Sequence, residues 1–214
     1  NALDDRLVEV DCAFVERSIS DLRYRARQIA AWLYQPGELI FDDEPDLAYV
    51  GRLANQIDLE QTVGFGQFTL QFRCYPLAQA IENAADAYDL NSGTILYRDL
   101  RLDGDDYAFN VTEPTTLEIN NWGTAPVAPV IQVDGNFTNL ILTTGGKTLL
   151  YNEAVAGKTL VIDCDKYQAQ IDGANKLNKV SGSFIELQPG INQVTIGGTG
   201  LNCTVSFVFR PLFY

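Results

Sequence analysis

The stretch GFGQFTLQFRC, residues 64–74, sets Phe68, Leu70, Phe72 and Cys74 on one side of an extended chain and Gln67, Thr69, Gln71 and Arg73 on the other. A period of two residues is the mark of a strand with one buried and one wet face. The same alternation occurs upstream in LVEVDCAFVE, Leu7 to Glu16, where Val8, Val10, Cys12 and Phe14 oppose Glu9 and Asp11. Two such strands need a cover for their apolar side.

The cover lies between them. Leu22, Ala26, Ile29, Ala30 and Leu33 recur at spacings of three and four, and Ser20-Asp21 offers an N-cap, so a helix is expected over Asp21 to Tyr34. Pro36-Gly37 stops it. Glu38 to Phe41 and Leu47 to Leu53 read as strands on either side of FDDEPD, with Pro45 presetting the turn between them. The first part is therefore an antiparallel sheet with one helix on it, and Trp32 is expected to pack against that sheet.

Leu77 to Tyr88 is Ala-rich and reads as a short helix, inside an irregular connector from about residue 76 to 105 that holds the turn sequences Asn91-Ser92-Gly93 and Asp103-Gly104-Asp105. Beyond it the texture is purely β. Ten short runs, from Tyr107–Val111 to Cys203–Phe209 and including Ser183–Leu187, are separated by turns such as Asp134-Gly135, Gly145-Gly146, Asp172-Gly173, Pro189-Gly190 and Gly197-Gly198. That spacing argues for a β-sandwich. The expected division is residues 1–105 as an N-terminal β domain with helix 21–34, and residues 106–214 as a β-sandwich. The opening Asn1-Ala2, without Met and with a strand pattern by Leu7, reads as a domain entered partway.

Charge divides the chain at the same place. Residues 1–105 hold nine Arg, no Lys and nineteen acids, whereas residues 106–214 hold five Lys, one Arg and nine acids. The total of −13 repels nucleic-acid phosphates and anionic lipid, so neither nucleic acid nor membrane is expected as a partner, and no apolar run approaches the eighteen residues of a spanning helix. The chain has no His, which excludes Ser-His-Asp and Cys-His catalysis and His-ligated zinc within it. Cys12, Cys74, Cys164 and Cys203 are far apart, lack CxxC spacing and sit in apolar strand patterns, as buried free thiols do.

Several motifs have the composition of a site. Asp42, Asp43, Glu44 and Asp46 crowd one corner, but counting from Asp42 an EF-hand would need Gly at position six and Glu at twelve, where Leu47 and Leu53 stand. The corner reads as a solvated turn, and the acidic turn Asp103-Gly104-Asp105-Asp106 likewise. Gly197-Gly198-Thr199-Gly200 lies between strands, without the helix that a phosphate loop requires. Trp122, in NNWGTAP, either closes the end of the sandwich core or offers a platform for a sugar ring. Arg23, Arg25 and Arg27 form a helix face that is either solvated or paired with a neighbouring subunit's acids. No catalytic, cofactor-binding or metal-binding residue is assigned.

The ordered segments RYRARQIAAWLYQPGELIFDDEPDLAYVGRL, GQFTLQFRCYP, INNWGTAPVAPVIQVDG, LVIDCDKYQAQIDG, FIELQPGINQVTI and VSFVFRPLFY resemble the siphophage distal tail protein (Dit) family over about Val8 to Tyr214. The resemblance implies a non-enzymatic structural protein without cofactor. Its N-terminal domain would form a hexameric ring, preceded in the family by further residues, and its C-terminal domain would be a galectin-like β-sandwich. It also implies a place at the tail tip of the virion, after assembly in the bacterial cytoplasm. There the ring would join the tail tube protein to the tail-associated lysin or fibre protein, with receptor-binding proteins docked around it. The rival reading is a carbohydrate-binding module acting through Trp122, and behind it a carboxylate-based glycosidase.

Overall fold

The computed structural model describes residues 3–55, 60–62, 65–81, 83 and 107–214. Over these described residues the chain is mainly β, with antiparallel sheets and one α-helix, and it forms two compact units. Unit 1 comprises Asn1–Gln79 with Tyr214, and unit 2 comprises Ala80–Phe213.

Unit 1 is built on β1 (Arg6–Val15), α1 (Ile19–Trp32), β2 (Gly37–Phe41), β3 (Glu44–Leu53), β4 (Glu60–Thr62) and β5 (Phe65–Cys74), and β6 (Ala78–Ala80) begins in it and ends on the first residue of unit 2. β1 and β5 pair over ten residues, from Arg6 opposite Cys74 to Val15 opposite Phe65. This register puts the apolar sets of both strands on one face. Phe68, Leu70, Phe72 and Cys74 form the core there, with Val8, Val10 and Cys12 beside them and Ile29 and Leu33 from α1 above. The side chain of Phe14 lies outside the described part.

The helix begins two residues before its expected start. Ser18 is the N-cap: its Oγ accepts from the Asp21 backbone N–H at 3.2 Å and donates to Asp21 Oδ2 at 2.7 Å. The reciprocal pair satisfies a first-turn N–H, and the Asp21 charge suits the helix N-terminus. Ser20 and Asp21 are thus inside the helix.

The acidic corner also differs from expectation. The turn between β2 and β3 is Asp42-Asp43, Phe41 pairs with Glu44, and Pro45 lies inside β3. Neither Asp42 nor Asp43 has positive φ, so the turn is not of the primed kind that matches strand twist. The register accordingly shifts between Leu39 and Phe41. The helix expected over Leu77 to Tyr88 is replaced where described by β6, whose Ala80 N–H donates to the Pro211 carbonyl; residues 84–88, and the turn sequences at 91–93 and 103–106, lie outside the described residues.

Unit 2 begins with β7 (Ala108–Val111), β8 (Thr115–Asn121), β9 (Val130–Phe137), β10 (Asn139–Thr144), β11 (Lys147–Tyr151) and β12 (Val155–Asp163). It continues with β13 (Gln168–Ile171), β14 (Ala174–Asn175), a 3-10 turn at Leu177–Lys179, β15 (Val180–Gly182), β16 (Gly190–Thr199), β17 (Asn202–Val208) and β18 (Leu212–Phe213). The first sheet runs β15-β11-β10-β16-β8 and the second β14-β13-β12-β9-β17-β7. Inward residues of both sheets, including Leu140, Leu149 and Ile196 from one and Val133, Leu160 and Phe207 from the other, share one core cluster. This is a β-sandwich.

Three local expectations are corrected in unit 2. Asp134-Gly135 lies within β9, where Gly135 has φ +133° and a Cβ would stand 2.6 Å from the Asn202 carbonyl oxygen. The glycine is needed for close strand approach, not for a turn. Gly197-Gly198 lies within β16. Ser183–Leu187 forms no strand, its one bridge being Leu187 to Val127.

Candidate subunit interface

Trp32 is 78% exposed, against the expectation that it packs on the sheet. Leu22, Ile29 and Leu33 point α1 at the core, and Trp32, one residue before Leu33, is turned about 100° round the helix from it. That signal was present in the spacing. Tyr34 at 81% and Tyr24 at 63% are exposed as well, and the face opposite Leu22 carries Arg23, Tyr24, Arg27 and Gln28.

The uncovered apolar surface is unevenly shared. Of the thirteen large hydrophobic residues exposed among those described, nine precede residue 80, and three lie within the sandwich. The buried core cluster of unit 1 is small among the described residues, consisting of Phe68, Leu70, Phe72 and Cys74. Trp32, Tyr24 and Tyr34 face outward from it, and Trp, Tyr and Arg together are the residue types that anchor protein interfaces.

Charges on this unit are partly free. Arg25 pairs with Glu16 at 3.4 Å, both near the surface, while Arg23 and Arg27 have no ion-pair partner among the described residues. Below the C-terminal end of α1, an open cavity of about 220 Å³ is lined by Trp32, Leu33, Pro36, Leu39, Arg52 and Phe72. A second, of about 300 Å³, lies between Asp5, Pro36, Arg52, Arg73 and Tyr75.

The four acids of the corner do not act together. Asp42 and Asp43 are exposed at the hairpin tip. Glu44 instead accepts a hydrogen bond from the Tyr49 hydroxyl at 2.9 Å, and the Arg6 guanidinium sits 5.3 Å from the Tyr49 ring centroid. Burial, and then the Glu44 carboxylate, hold the Tyr49 phenol above its ordinary pKa. Among the described residues no three carboxylates or thiols converge as metal ligands would.

Trp122 is half-buried, its ring tilted at 53° against Phe213 with centroids 5.6 Å apart. Gly200 turns β16 into β17, strand to strand. All four cysteines are free; burial raises each thiol pKa, that of Cys164 to about 12, so they remain protonated and inert at neutral pH.

Comparison with known proteins follows this division. Residues 1–74 match the phage tail protein RIFT-related domain, and residues 122–211 match the siphovirus-type tail component, C-terminal domain. No curated protein matches the chain. Among solved structures, the crystal structure of Dit from phage SPP1, described as a paradigm of the hub of the adsorption apparatus in phages infecting Gram-positive bacteria, is similar. The TM-score is 0.72 at 21% identity, covering 100% of this chain and 81% of that one, a likeness of fold. With the matched domains in this order on a chain of that fold, the protein belongs to the siphophage distal tail protein family.

Proposed function

We propose that the protein is the hub of a siphophage tail tip, a non-enzymatic structural component that closes into a hexameric ring through residues 1–105, with residues 106–214 as a β-sandwich module. In this role the ring joins the end of the tail tube to a lysin or fibre protein and offers docking sites to receptor-binding proteins. The observation that carries the reading is the exposed Trp32, Tyr34 and Tyr24 surface of unit 1, on a small core that leaves most large exposed side chains of the chain on one unit.

A ring requires a head-to-tail contact, in which one surface of a subunit meets a different surface of the next. α1 supplies a surface rich in aromatic residues and arginine, and the Asp42-Asp43 tip supplies exposed carboxylates that suit it in sign. Anchoring would come from the rings, and registry from the charges. The direct test is native mass by light scattering combined with electron micrographs of the isolated protein. Sixfold rings are expected; a monomer at high concentration, without rings, overturns the reading.

A further inference from the structure

Tyr167 closes the hairpin between β12 and β13 with φ +53°. Bulky residues avoid this left-handed region, where glycine or asparagine is usual. The strain does not serve to bury the side chain, because Tyr167 is 62% exposed. Its ring meets that of Phe184 at 89°, with centroids 5.2 Å apart, and Phe184 in turn packs on the sandwich core. A rigidly supported aromatic ring is thereby presented to solvent at a strained position, and strain of this kind collects at functional sites.

Beside it lies an open cavity of about 340 Å³, lined by Lys147, Cys164, Tyr167, Ser183, Phe184 and Glu186. Lys147 Nζ donates to Glu186 Oε2 at 2.7 Å. Glu186 Oε1 and the Ser183 hydroxyl have no hydrogen-bond partner among the described residues. The segment is pressed onto β11 at Gly182, φ +88°, where any Cβ would collide with the Thr148 carbonyl oxygen. An aromatic floor edged by a few convergent polar groups is the make-up of a small-ligand site.

We propose that this cavity binds a neutral hexose unit of a surface glycan, with the apolar face of the sugar ring stacked on Tyr167. Hydroxyls of the sugar donate to Glu186 Oε1 and bond to Ser183, and Lys147 is a further donor. Neutral sugar fits because the lysine is already compensated by Glu186, and the −13 charge of the chain repels polyanionic polymers. The half-buried Trp122 has no part in it.

Substitution at Tyr167 separates strain from packing. In Tyr167→Gly the backbone loses its strain, so the melting temperature should hold or rise while glycan binding falls by about tenfold or more. Tyr167→Phe should keep the binding. The probes are methyl hexopyranosides observed by saturation-transfer NMR and an array of neutral bacterial surface polysaccharides, both applied to the whole protein. Absence of binding to every neutral probe, binding only to anionic polymers, or undiminished binding by Tyr167→Gly each overturns the proposal.

Discussion

The hydroxyl of Tyr151, a side chain with no exposed surface, donates to Glu153 Oε2 at 3.0 Å. Glu153 also receives Lys176 at 2.8 Å and Lys179 at 3.5 Å, so one carboxylate ties the end of β11 to the 3-10 turn at Leu177–Lys179. The backbone repeats the tie, the Asn152 N–H donating to the Lys179 carbonyl. The hydrogen bonds from Lys176 and Tyr151 hold the Glu153 pKa below its ordinary value, while burial and the neighbouring carboxylate hold the Tyr151 phenol well above the usual tyrosine range.

The stability of the sandwich should therefore fall at both ends of the pH scale. A carboxylate with a depressed folded pKa contributes fully above its unfolded value, ordinarily 4.5, and loses the contribution as pH falls through the folded value. A phenol with a raised folded pKa contributes fully below its unfolded value, ordinarily 10, and loses the contribution as pH rises beyond it. Glu153→Gln should remove the acid-side dependence that this group supplies. Thermal unfolding from pH 3 to 7 checks it: equal slopes in variant and parent would refute the assignment.

Asn121 should be among the most sensitive polar positions. It is fully buried, its Nδ2 donates to the carbonyls of Ala125 at 3.0 Å and Leu187 at 3.1 Å, and its Oδ1 accepts from the Gly123 N–H at 3.0 Å. Asn121→Ala leaves the Ala125 carbonyl and the Gly123 N–H without partners, while the Leu187 carbonyl keeps the Val127 N–H, a loss of about 2–4 kcal/mol. Asn121→Asp should cost at least as much, because a carboxylate would face those carbonyls. Denaturant unfolding of the two variants measures both, and a change within experimental error would rule out the network as a source of stability.

Why some of this was legible and some not follows from the range of each signal. The period-two alternation of Phe68 to Cys74 is local, and the core it implies is the core observed. The capping signal is equally local, but Ser20-Asp21 offers the same chemistry as Ser18 with Asp21, so the sequence points two residues late. Asp134-Gly135 has the composition of a hairpin turn, yet what requires the glycine is Asn202, far along the chain. The buried Ile185 and Leu187 alternate like a strand, but no neighbour along them completes a ladder. At the candidate interface the arginines of α1 are legible as charge, whereas an exposed Trp32 is not, since the apolar centre of a surface made for partners resembles a core in composition.

Trp32 gives a clean separation of folding from association. With 78% of its surface exposed, Trp32→Ala should change the stability of an isolated subunit by no more than about 0.5 kcal/mol. If the ring contact uses it, association should weaken by about 2 kcal/mol or more, and Arg27→Glu should act in the same direction. Sedimentation of the variants alongside chemical unfolding reads both quantities. Substitutions that leave assembly untouched would place the contact elsewhere on unit 1.

The Asp42-Asp43 tip should be dispensable for folding while its neighbour Glu44 is not. Asp42→Asn with Asp43→Asn changes two exposed groups at a turn, and unfolding should shift by less than about 0.5 kcal/mol. Tyr49→Phe removes the hydroxyl that Glu44 accepts, and because both are partly buried the loss should be about 0.5–1.5 kcal/mol. Calcium titrated calorimetrically into the parent should give no saturable heat from this corner, since Glu44 is turned to Tyr49 and the tip carboxylates alone make an incomplete ligand set. A tightly bound ion lost in the double Asn variant would overturn the reading of this corner as a solvated turn.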